Sequence, residues 1–239
     1  LLIGGGSSLF MLALSSGSLP AAAASVLLLV WAARRMMRTP HPFVEPSLLR
    51  DRPFMLLNGL AMAAHMINFT LLFLLPQLLV AVHALSLLET GLMIFPGALL
   101  SVLLARPLGR ALKRSGTRRL LALSPWCIVA GNLLLAWLGL SVPWIAAPAY
   151  LLTIVGCTAV NACVADALPR QIPETRLGAA LGLQQLCQFI GGAACAAVCG
   201  FALADKLSEL SGAAFTPLFY GLVLLSLLIA AAGLQVRNH

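Results

Sequence analysis

Residues 54–80 read FMLLNGLAMAAHMINFTLLFLLPQLLV, with no Asp, Glu, Lys or Arg among them. A bilayer crossing needs about 20 predominantly apolar residues, so this stretch is long enough to span a membrane with room to tilt. Comparable runs lie at 87–105, 119–140, 143–166, 177–203 and 216–235, with a seventh at 19–33 and an apolar opening at 1–16. The composition agrees: 61% of residues are hydrophobic and only 9% are charged, against about 25% in soluble domains. The mean hydropathy is +0.99. These features predict an all-α fold, a polytopic transmembrane helix bundle solvated by lipid, and exclude a soluble enzyme. Leu1 leads directly into apolar sequence without the basic leader of a signal peptide. The expectation is therefore a chain that starts inside a helix, its first span truncated.

The formal charge of +8 is read as orientation and not as a nucleic-acid surface. Basic residues collect in 34–52, in 106–119, at Arg170 and Arg176, and at Arg237. Alternate connections thus hold all the Lys and Arg except Lys206, and the positive-inside rule makes that side cytoplasmic. The C-terminus is then cytoplasmic, and 81–86, 141–142 and 204–216 face outward. All six cysteines fall within predicted spans without a CxxC pair or a nearby histidine cluster, so they read as small packing residues. No cofactor or metal site is expected.

Two stretches carry a family resemblance. RRMMRTPHPFVEPSLLRDRPF, 34–54, sets a proline-punctuated segment between basic clusters. SLLETGLMIFPGALLSVLLARPLGRALKRSGTRR, 86–119, joins a span to a basic connection. Both resemble the fourteen-span drug:proton antiporters of the major facilitator superfamily, which include Gram-positive tetracycline and multidrug efflux proteins. The loop motif G-x-x-x-D-R-x-G of that family maps onto Gly109, Lys113, Arg114 and Gly116, with Lys113 standing where the motif has Asp. A third match, LGLQQLCQFIGGAACAAVCG at 181–200, is similar to the small-residue span near the family's end; Gly192 stands where the tetracycline subgroup has a Glu. The resemblance implies two central spans in 1–33, a cytoplasmic linker in 34–53 and the C-terminal six-helix bundle in 54–239. It also implies protons and a small-molecule substrate as partners, beside the lipid bilayer and the N-terminal half of the same protein.

Polar side chains at membrane depth are the candidate site, because a bare polar group in hydrocarbon is costly and turns toward a cavity or a partner helix. Gln184 and Gln188 lie one turn apart, with Gly191 and Cys195 continuing their stripe. They either line a substrate path or bond neighbouring helices. Gly192, Ala196 and Gly200 form a small-residue ribbon suited to close helix packing. Asn58, Met62 and His65 share a face, with Asn68 at its edge. His65 is the lone histidine at membrane depth; its ordinary pKa of about 6.5 suits a proton carrier, and packing is the competing reading. Asn161, Cys157 and Thr153 make a second polar stripe that would meet the glutamines. Ser86 and Glu89 fit an S-x-x-E capping box, and Asp166 and Arg170 fit a surface ion pair or a gate. Pro76, Pro96 and Pro148 lie within predicted spans, with Phe95, Pro96 and Gly97 as a flex point.

A secondary transporter is the leading function, by resemblance an exporter of small amphipathic compounds. An importer, a uniporter or a non-transporting assembly subunit would carry the same residues. A membrane enzyme would need convergent nucleophiles, acids or metal ligands, and none stand together: His41 and Glu45 lack a third ligand, and His83 and His239 are isolated. No nucleotide-binding G-x-x-x-x-G-K-[ST] occurs.

Overall fold

The computed structural model describes residues 51–204 and 212–236. The expected central spans in 1–33, the linker up to residue 50, and the region around Lys206 lie outside the described residues. Within them the chain is all-α: α1 Arg52–Ala81, α2 Leu87–Leu103, α3 Ala105–Leu138, α4 Ala146–Gln171, α5 Glu174–Ala204 and α6 Phe215–Val236. Short 3-10 turns at Pro143–Ile145 and Gly212–Ala214 precede α4 and α6. Among the described residues, five helices are long and apolar enough to cross a membrane; α2 is a shorter apolar helix.

Helix starts follow local chemistry. Pro53 sits in the first turn of α1, where its missing N–H leaves no bond unmade. At α2 the capping box forms: Glu89 Oε2 accepts from the Ser86 backbone N–H at 2.8 Å and from Ser86 Oγ at 2.7 Å, and the Glu89 N–H donates to Ser86 Oγ at 3.3 Å. Glu89 is thereby engaged at a helix start. Pro148, expected within a span, lies within the span Pro143–Gln171 and in the first turn of α4, which follows directly on the 3-10 turn at Pro143–Ile145. No helical bond is broken there.

The basic connection expected over 106–119 is largely helical. Leu104 keeps helical angles, its N–H donating to the Leu100 carbonyl, and the helix resumes at Ala105. The regular backbone fails only at Gly116, with φ 77 and ψ 152. Of the four motif residues, Gly116 alone marks the break, while Gly109, Lys113 and Arg114 lie on helix. That backbone region is essentially restricted to glycine. Gly116→Ala is therefore expected to destabilise the protein by about 1–3 kcal/mol. Gly109→Ala, whose new Cβ meets nothing within 4 Å, gains about 0.5–1 kcal/mol of helix preference. Thermal unfolding of the purified protein in detergent checks both signs.

One end of the bundle gathers three connections. His83 Nε2, expected to be isolated, donates to the Gly139 carbonyl at 2.8 Å and ties the α1–α2 turn to the α3–α4 turn. Gly212 sits against Leu140 and Val82. Exposed Trp137 and Trp144 flank the α3–α4 turn, the position of interfacial aromatic anchors. At the opposite end Thr117 Oγ1, just past the glycine break, donates to Asp166 Oδ2 at 2.6 Å, while Arg170 Nη2 donates to Asp166 Oδ1 at 2.9 Å. The expected Asp166–Arg170 pair is thus also an α3–α4 tie.

Helix packing rests on close approach. α3 packs chiefly on α4 and α6, and α1 on α5, α4 and α6. A Cβ on Gly156 would fall 2.7 Å from the Ser124 carbonyl oxygen and 3.0 Å from the Ile128 nitrogen; one on Gly131 would overlap Thr153 Oγ1. Since lipid is as apolar as leucine, such backbone proximity, and not water exclusion, holds membrane helices together. α5 is the least buried of the five membrane-length helices.

Candidate functional site

α4 presents one polar face, and the helices around it supply partners. Tyr150, Cys157 and Asn161 recur at helical spacing along it. Tyr150 is buried; its hydroxyl donates to Asn68 Oδ1 on α1 at 3.4 Å. Cys157 Sγ donates to the Ala64 carbonyl at 3.4 Å. Asn161 Nδ2 donates to the Cys157 carbonyl at 3.0 Å, leaving Asn161 Oδ1 to accept from Gln188 Nε2 on α5 at 3.3 Å. The result is a polar seam about 17 Å long, from Tyr150 to Asn161 at about 1.5 Å per residue, stitching α4 to α1 above and to α5 below. The α4 stripe and the glutamine stripe do meet, through Asn161 and Gln188.

The other candidates distribute around this seam. Gln184 is buried, 6% exposed, as is Gln188 at 3%. Gly191, expected on the same stripe, packs instead beneath Met62 and Met66 of α1. The small-residue ribbon takes α1 side chains, Gly192 against Phe69 and Gly200 against Phe73. His65 sits in an aromatic triangle, its ring 5.4 Å from Phe69 and 5.8 Å from Phe189, with those two 5.9 Å apart. His65 Nδ1 and Asn58 Oδ1 are buried atoms without a hydrogen-bond partner. Thr153, placed in the α4 stripe from sequence, bonds its own helix at the Ala149 carbonyl, 3.0 Å away, and faces Gly131. It belongs to the α3–α4 contact.

Two residues escaped the sequence reading. Tyr150 carries no local polar pattern that singles it out, although its place two turns before Cys157 puts it on the same face. Its ring also lies against Gly97 of α2, where an added Cβ would overlap it. The flex point expected at Phe95, Pro96 and Gly97 therefore contains a tight contact at Gly97. Asn132, fully buried on α3, has both amide atoms unpaired; its burial depends on how α3 packs, which no local pattern discloses. The acidic residues of the described chain, Asp51, Glu89, Asp166 and Glu174, all lie at or near helix ends. Among the described residues no three His, Cys, Asp or Glu come together to hold a metal ion.

Membrane-length helices joined by part-buried, uncharged polar pairs define a multi-pass membrane protein. The family profile of the Major Facilitator Superfamily matches residues 2–196, and the chain belongs to that superfamily of transporters. It is accordingly not an enzyme. No curated protein gives a significant match to the chain.

Proposed function

We propose that the chain is the C-terminal portion of a proton-coupled exporter of drugs or other small amphipathic compounds. In this reading residues 1–33 are two central spans, 34–53 a cytoplasmic linker and 54–239 one six-helix bundle, with an N-terminal bundle as its working partner. Superfamily transporters alternate access by rocking two bundles around a site near the bilayer midplane. The observation that carries the proposal is the seam of Asn68, Tyr150, Asn161 and Gln188: neutral hydrogen-bonding side chains, at mid-helix except for Tyr150 near the start of α4, joining three helices across about 17 Å of apolar surroundings.

Its uncharged character fits an amphipathic substrate better than a small ion. With the described carboxylates at helix ends, proton carriage falls to His65, whose Nδ1 is unpaired, or to the partner bundle. Arg106, Arg110, Lys113, Arg114, Arg118 and Arg119 support, by the positive-inside rule, a reading in which the Gly116 end and the C-terminus are cytoplasmic. The test is accumulation of fluorescent amphipathic cations and anions in cells expressing the full-length gene. Export that collapses on adding a protonophore is expected. Accumulation unchanged for every compound, with the protein abundant in the membrane, would favour an assembly subunit.

A further inference from the structure

We propose that the α1–α5 contact holds a binding site for a soft monovalent cation such as Cu(I), with Cys195 and Met66 as its sulfur ligands and with Thr70 and Cys199 supporting the Cys195 sulfur. Nothing in the proposed drug export requires this site.

The site is built where two helices running in the same direction meet on their sulfur-bearing faces. Gly191, without a side chain, admits both methionines of α1: a Cβ there would fall 2.9 Å from Met62 Cε and 3.2 Å from Met66 Cγ. Phe69 against Gly192 and Phe73 against Gly200 continue the same register. One turn beyond Met66 and Gly191, Thr70 of α1 lies beside the Cys195 thiol of α5. Met66 to Thr70 and Gly191 to Cys195 are equal steps, so Met66 and Cys195 occupy neighbouring turns of one contact. Helix side chains lean toward the N-terminus, which tips the Cys195 sulfur back toward the turn that Met66 fills. Cys199, four residues on, leans the same way, and its thiol meets that of Cys195. Both cysteines are free thiols.

The surroundings of Cys195 suit a metal-bound sulfur. Cys199 S–H and Thr70 O–H can both donate to a Cys195 thiolate. Thr70 is fully buried, and its Oγ1 completes no hydrogen bond of good geometry, an arrangement that is costly unless something uses the donor. Thiolate and thioether together select soft ions of the Cu(I) kind. Charge then decides the valence. As a monovalent ion binds, the Cys195 S–H bond breaks, the sulfur–metal bond forms and the proton leaves to solvent, with no change of oxidation state. The site is neutral before and after. A divalent ion would leave a net charge, which is expensive at membrane depth. Structural zinc also takes about four ligands, and among the described residues no three His, Cys, Asp or Glu come together.

The test is transfer of Cu(I) from its coloured bicinchoninate complex, kept reduced by ascorbate, to the purified full chain in detergent. Wild type is expected to withdraw about one Cu(I) per chain. Cys195→Ser and Met66→Leu should each weaken binding about tenfold or more, and Thr70→Val, which removes a supporting donor, about tenfold. Cys127→Ser, a half-buried thiol on α3, should change it less than about twofold. Met66→Leu conserves volume, so its metal-free unfolding midpoint should stay near wild type and separate lost binding from lost fold. X-ray absorption by the loaded chain should show sulfur as the nearest neighbour of copper. No uptake by wild type, equal loss from Cys127→Ser and Cys195→Ser, or wild-type affinity in Met66→Leu would overturn the proposal.

Discussion

Gly156→Val is expected to remove folded protein altogether: none should survive detergent extraction as a monodisperse species. Even a methyl at this position would press on backbone, 2.7 Å from the Ser124 carbonyl oxygen and 3.0 Å from the Ile128 nitrogen. Backbone cannot rotate aside as a side chain can, so the crossing must open. Overpacking costs about 1–3 kcal/mol for small insertions, sometimes more, and Gly156→Ala should fall in that range as a lowered unfolding midpoint. Valine adds two branched methyls and would separate α3 from α4 along the Gly131–Gly156 contact. It would also pull Thr117 away from Asp166. Gly221→Ala is the control, since its Cβ meets nothing within 4 Å, and it should melt no lower than wild type, with a gain of about 0.5–1 kcal/mol of helix preference. A wild-type midpoint for Gly156→Val would mean that α3 and α4 do not approach as described.

What the sequence discloses here tracks the range of the physics involved. The run 54–80 signals α1 because span length is set by the bilayer alone, and α1 extends only to Arg52–Ala81. Ser86 and Glu89 disclose their box because capping is local within four residues. Gly116 was legible as a motif position, but its role as the single backbone break was not, because apolar and basic residues both continue a helix well. Tyr150 and Asn132 show the limit on the site side. A polar residue's partner depends on which helices are neighbours, and the Asn161–Gln188 bond joins α4 to α5, a pairing suggested by two polar stripes but fixed only by tertiary packing. Whether Gln188 lines a path or bonds helices is likewise invisible to periodicity, since both uses require the same face.

Asn161 and Gln188 can separate those two uses, because pairing and lining respond differently when both partners are removed. Gln188→Leu strands Asn161 Oδ1, its acceptor 3.3 Å away, while Asn161→Leu strands Gln188 Nε2. Each single change should cost about 0.6 kcal/mol, the average for interhelical bonds in membranes, and at most about 1.7 kcal/mol. Replacing both leaves no stranded group, and apolar pairs of similar shape can restore what either single change loses. The double variant should therefore recover most of the wild-type unfolding midpoint. Transport by the full-length protein is expected not to recover. If substrate bonds this seam as it passes, the double variant stays about tenfold or more below wild type, a loss of about 1.4 kcal/mol or more in transition-state stabilisation, at wild-type abundance. The seam is only partly buried in the described conformation, Asn68 and Asn161 keeping some exposure, and the loss should fall on the rate of export more than on membrane abundance. Recovery of export in step with the midpoint would instead make Asn161 and Gln188 helix glue, and would leave His65, Asn58 and Asn68 as the polar groups to examine next.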